Sequence, residues 1–149
     1  MKVKPAVIAL IMLVVYLLST IAYVGLQSRR STTQLPTTNI LNYTLDFQLR
    51  NAFIKYGSTI LTFEYSSNCD NCFEQKNFLE SFSKNYKQNL GTDFYNIYLE
   101  EVLNETINLS KLTIESNVGN RTLVNPTQNE TFDAICNLMS SPPVICVAR

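Results

Sequence analysis

The stretch STILTFEY (58–65), followed by Ser66-Ser67-Asn68-Cys69-Asp70-Asn71-Cys72 and then by Phe73, Leu79, Phe82, Tyr86 and Leu90, decides the fold. β-Branched and aromatic residues up to Tyr65 predict a strand, and the three- and four-residue apolar spacing after Cys72 predicts a helix ended by Gly91. A C-x-x-C pair between a strand and a helix puts Cys69 at a helix N-terminus. There, free backbone N–H groups and the helix dipole stabilise a thiolate, the nucleophilic form of the thiol. Cys69 is therefore the expected attacking thiol. Cys72, one turn further in, is the expected resolving thiol that closes the ring and releases a mixed-disulfide partner. A static bridge or two buried thiols is the alternative reading. A metal site would need a second close cysteine pair or histidines, and the sequence has neither, so no metal and no cofactor is expected.

Working outward, Leu41, Leu45, Leu49, Ala52, Phe53 and Tyr56 recur at helical spacing before Gly57, which predicts a helix with a glycine stop. On the other side, TDFYNIYL (92–99) alternates as a second strand, and Lys111 to Val124 is a candidate hairpin around Asn117-Val118-Gly119-Asn120. Glu130 to Met139 carries Phe132, Ile135, Cys136 and Met139 on one side and predicts a third helix. VICVA (144–148) is apolar on both faces and is expected as a third strand inside a helix-covered sheet. Cys136 and Cys146 fall on elements expected to pack together. They are read either as a structural disulfide or as buried free thiols.

The N-terminus has a different character. After a flank of residues 1–5, residues 6–26 are uncharged and long enough to span a bilayer core of about 30 Å, with Lys2 and Lys4 before them and Arg29 and Arg30 after. A single transmembrane anchor is expected. A cleaved signal peptide is the alternative, with Thr20-Ile21-Ala22 as its small-residue site. Residues 27–39 are polar and read as a linker, leaving 40–149 as one domain. Asn-x-Ser/Thr acceptors at Asn42, Asn104, Asn108, Asn120 and Asn129 all follow the anchor. They favour a single-pass protein of the cell membrane with its C-terminal domain outside the cytoplasm, although asparagine richness explains part of their number.

Composition removes several functions. Lys plus Arg and Asp plus Glu are each 12, so the basic field that nucleic-acid binding needs is missing. His is absent, which excludes Ser-His-Asp and Cys-His chemistry.

The aromatic-Ser-x-x-C-x-x-C run at a strand–helix junction resembles the thioredoxin superfamily. The resemblance extends through Ser141-Pro142-Pro143, which looks like the family's cis-proline loop, with Pro143 the better match and Pro142 the alternative. It implies an α/β fold, a thioredoxin-like sheet with helices on both faces, here preceded by the transmembrane helix. It also implies dithiol–disulfide exchange with protein thiols or disulfides, with Cys69, Cys72 and Pro143 as site residues. The sequence departs from the family in several places. Asn68 replaces the tryptophan, and Asp70-Asn71 replaces Gly-Pro between the cysteines. Phe63 takes the place of the buried acid, and Glu64 is expected to face the opposite side of the sheet. With Val144 to Ala148 read as the last strand, the family's closing hairpin strand and C-terminal helix are expected to be missing. The sheet edge would then be covered by residues 111–124 or by a homodimer partner. A non-catalytic thioredoxin-like binding or structural module of the cell envelope is the competing function.

Overall fold

A computed structural model describes residues 12, 14–16, 35–90 and 94–148. The chain divides into two compact units, Met1–Gln34 and Leu35–Arg149. In the first, Met12 and residues 14–16 have helical backbone. Most of the 6–26 stretch expected to form an anchor lies outside the described residues. Among the described residues no helix is long and apolar enough to cross a membrane.

The second unit is a mixed α/β structure around a five-stranded sheet. Its elements are β1 (Ile40–Leu41), α1 (Phe47–Lys55), β2 (Thr59–Tyr65), α2 (Cys72–Asn85), β3 (Ile97–Leu103), β4 (Lys111–Glu115), β5 (Asn120–Val124), α3 (Gln128–Leu138) and α4 (Val144–Val147). The strand order is β1-β3-β2-β4-β5. β3 runs parallel to both β1 and β2, with Phe63 opposite Glu101, and β4 pairs antiparallel with β2 and β5.

Strand alternation divides the core in two. Leu61 and Phe63 of β2 join Ile97, Leu99, Leu112 and Ile114 against Leu79 and Phe82 of α2 and Ala134 and Ile135 of α3. Ile60 points the other way and packs with Tyr98, Leu41, Leu45 and Phe53 of α1. Phe53 stacks on Tyr98 at 4.4 Å between ring centroids. A buried ionic cluster ties α1 to this second face. Glu100 has a fully buried side chain that pairs with Arg50, accepts the Thr62 hydroxyl at 2.7 Å, and accepts the Leu45 N–H at 2.8 Å. Arg50 also pairs with Glu115 of β4.

The helix expected from Leu41 to Tyr56 is shorter than its periodicity suggests. Ile40 and Leu41 pair with β3, and the helix starts after Asp46, whose side chain accepts the Leu49 N–H at 2.9 Å. Its end is as expected, with Gly57 at φ 91°. The strand expected at 92–99 begins five residues later, at Ile97. Asn96 holds the preceding loop: it accepts the Gln88 N–H at 2.7 Å and donates to the Tyr86 carbonyl at 3.2 Å. The strand then runs on through Glu100 and Glu101, whose charges are matched by Arg50 and Lys76.

The 111–124 hairpin forms as expected and covers the β2 edge. Residues 144–148 do not form a strand. They make one helical turn, with Val144 82% and Val147 75% exposed. The β2 edge is already occupied, Pro142 and Pro143 offer no N–H for a ladder, and Cys146 is bonded to Cys136 of α3 with Cα atoms 5.4 Å apart. The expectation that residues 144–148 are the last strand of the sheet is thus overturned: the fourth and fifth strands are β4 and β5, and α3 and α4 follow them.

Candidate functional site

β2 ends at Tyr65 and α2 begins at Cys72, so the intervening loop hangs over the end of the sheet. Tyr65 stays tied to the β3–β4 loop because its carbonyl accepts the Asn104 N–H at 2.7 Å. Glu105 of that loop accepts both the Ser67 N–H, at 3.3 Å, and the Ser67 hydroxyl, at 3.0 Å. Two chain segments far apart in sequence therefore hold the approach to the cysteines.

Cys69 and Cys72 are joined in a disulfide with Cα atoms 5.4 Å apart. Cys69 is half-buried and lies just before the first turn of α2, whereas Cys72 is the first helical residue and is 3% exposed, within the core. The Cys72 N–H reaches back to the Cys69 carbonyl at 3.4 Å, and Asn71 makes no side-chain cap. The two cysteines are thus inequivalent, one half-buried and one buried. They open into a pocket of about 150 Å³ shared with Tyr65, Ser66, Phe73 and Lys76. Phe73 is 72% exposed and forms an apolar rim beside it.

Phe63 is fully buried in the core, and Glu64 on the other face accepts a hydrogen bond from Lys111 at 2.8 Å. The acid beside the site comes instead from β3. Glu101 pairs with Lys76 at 2.8 Å, and Lys76 also donates to the Tyr65 hydroxyl at 3.3 Å. The hydrogen bond to Glu101 is the largest influence on Lys76 and raises its pKa above the ordinary lysine value. Sequence reasoning singled out neither Lys76 nor Glu101. The signal for Lys76 was its place four residues after Cys72 on the same helix face; nothing in the sequence pointed to Glu101, whose position depends on β2–β3 register.

Pro143 does not line this pocket. Among the described residues there is no cis peptide bond, which corrects the expectation of a cis bond at Pro143 or Pro142. Pro143 is buried and caps α4, where its carbonyl accepts the Cys146 N–H at 2.8 Å. The residues that follow it, Val144–Val147, form a helical turn instead of a strand. Among the described residues no cluster of His, Cys, Asp and Glu could hold a metal ion. Of the glycosylation acceptors, Asn42, Asn108, Asn120 and Asn129 are exposed and Asn104 is half-buried.

No protein-family model matches the chain, and no curated protein matches it. The class that fold and site define is a mixed α/β chain with a disulfide at a strand–helix junction.

Proposed function

We propose that this chain is a membrane-tethered, thioredoxin-like thiol–disulfide oxidoreductase that exchanges disulfides through Cys69 and Cys72 outside the cytoplasm. The observation that carries the reading is the asymmetry of the Cys69–Cys72 bridge, with Cys69 half-buried just before a helix and Cys72 buried at its first residue. A partner thiolate attacks the accessible Cys69 Sγ, a new S–S bond forms there, and the Cys69–Cys72 bond breaks with its electron pair on Cys72 Sγ. A second thiolate of the partner then attacks the partner sulfur of that mixed disulfide and releases Cys69 as a thiolate, so the partner dithiol is oxidised; the reverse sequence reduces a partner disulfide.

The parallel β1/β3/β2 group, the antiparallel β4–β5 hairpin and the helix α3 that follows it support a thioredoxin-like assignment. Two disulfides and exposed glycosylation acceptors favour an oxidising compartment, and the apolar 6–26 stretch favours the tether.

Insulin reduction followed by turbidity tests the activity. The wild-type chain is expected to accelerate it and Cys69→Ser to return it to background. Equal rates for the two proteins would refute exchange and favour the non-catalytic envelope module.

A further inference from the structure

Two polar side chains, Ser66 and Lys76, line the pocket of the disulfide. Ser66 is 4% exposed, and its hydroxyl is buried without a hydrogen-bond partner among the described residues. Lys76 stands four residues after Cys72, hence on the same face of α2, and lines the same pocket as Ser66 and both sulfurs. Its ammonium turns inward to Glu101, whose side chain is only 10% exposed and whose second oxygen is buried with no hydrogen-bond partner among the described residues. A closed disulfide is uncharged and accepts hydrogen bonds weakly. An opened one leaves an anion on the shielded sulfur.

We propose that Lys76 and Ser66 form a polar wall that receives the thiolate created on Cys72 when the disulfide opens, with Glu101 as the positioning residue for the ammonium. The proposal deepens the exchange reading and takes its biological meaning from it. When a partner thiolate bonds to Cys69 Sγ, the released electron pair resides on Cys72 Sγ. That atom is largely screened from water, so its charge must be met by protein groups. The Ser66 O–H donates a hydrogen bond to it, and the ammonium supplies the opposite charge.

The surrounding charges set the balance. On α2, Glu80 lies 3.9 Å from the Lys76 ammonium but is also engaged by Lys84 at 2.7 Å. Glu101 and Tyr65 face Lys76 from the sheet, and Asp70 and Glu105 lie on the flanking loops. Without Lys76 the pocket loses its cation and Glu101 loses its counter-ion, and the lost cation alone disfavours an anion on Cys72. The Glu101 hydrogen bond also keeps Lys76 charged throughout the range where thiols titrate.

The full chain carrying Cys69→Ser, with Cys136–Cys146 left bridged, isolates the Cys72 thiol. Its titration is read from the pH dependence of iodoacetamide alkylation, with the labelled peptide identified by mass spectrometry. Adding Lys76→Met is expected to reduce the thiolate fraction at neutral pH about tenfold, a rise of about one pKa unit. Lys76→Arg is expected to restore most of it, and Ser66→Ala to reduce it about threefold. Circular dichroism reports whether each variant is folded. Unmoved titration in folded Lys76→Met would overturn the proposal. If that variant does not fold, unmoved titration in Ser66→Ala overturns it instead. The alkylation readout does not depend on turnover: failure of insulin reduction by the wild type refutes the exchange function, whereas an unmoved titration in an active chain refutes the polar wall alone.

Discussion

Replacing Glu100 by Gln tests whether the ionic cluster under α1 holds the fold together. The carboxylate is completely buried and makes three kinds of contact: the Arg50 ion pair, the Thr62 hydroxyl at 2.7 Å, and the Leu45 backbone N–H at 2.8 Å. Glutamine keeps one carbonyl oxygen, which can serve Leu45. Its amide NH₂ then faces Arg50 and Thr62, both of which act as donors toward Glu100. The change removes a charge-assisted hydrogen bond of about 1.5–3 kcal/mol and leaves a buried donor opposed, at about 1–3 kcal/mol. Arg50 is not orphaned, because Glu115 still pairs with it, so the expected loss is about 3 kcal/mol, the lower end for a broken buried pair. Glu115→Gln is the control. Its side chain is 30% exposed, and its removal is expected to cost about 0–1 kcal/mol. Urea unfolding of the full chain, followed by far-UV circular dichroism and extrapolated to water, measures both. A Glu100→Gln loss below about 1 kcal/mol, or one equal to that of Glu115→Gln, would refute the argument that the buried carboxylate organises this face.

Three other expectations rest on separate parts of the fold. The Thr127 N–H donates to the Glu130 carboxylate at 2.8 Å, and this backbone hydrogen bond is the largest cause of a Glu130 pKa below the ordinary carboxylate value of 4.5. A depressed folded pKa stabilises above the unfolded value and loses that contribution as pH falls through the folded one, so Glu130→Gln is expected to flatten the stability–pH curve below about 4.5. An unchanged acid limb would contradict this. Replacing Cys136 and Cys146 by Ser is expected to lower stability by roughly 2–3 kcal/mol, given the short closed loop, and an unaltered urea midpoint would show that the bridge does not constrain the unfolded chain. Deleting Lys111 to Val124 removes Leu112 and Ile114 from the core and bares the β2 edge, so light scattering is expected to detect aggregation; a soluble monomer would show that this edge needs no cover.

Local chemistry determined much of the structure. Thr59 to Tyr65 had to be extended because β-branched and aromatic residues crowd a helix, Gly57 had to end one because its φ is positive, and the four residues from Ser116 to Gly119 turn the hairpin. The C-x-x-C pair at the β2–α2 junction was equally legible, since its spacing alone allows a small ring. Residues 144–148 were not legible in this way. An apolar run of that length fits a buried strand or a helical turn equally well, and the choice fell to an edge already filled by β4 and to a bridge from α3. Glu100 and Glu101 looked like the end of a strand because charge is costly in a core; only Arg50 and Lys76, brought from other helices, make them affordable there. The surroundings of Cys72 followed the same rule. The sequence placed the two thiols, because their distance is local, whereas helix packing and register brought Ser66 and Lys76 to their pocket and Glu101 to Lys76, because contacts between separate elements exist only after the chain has closed on itself.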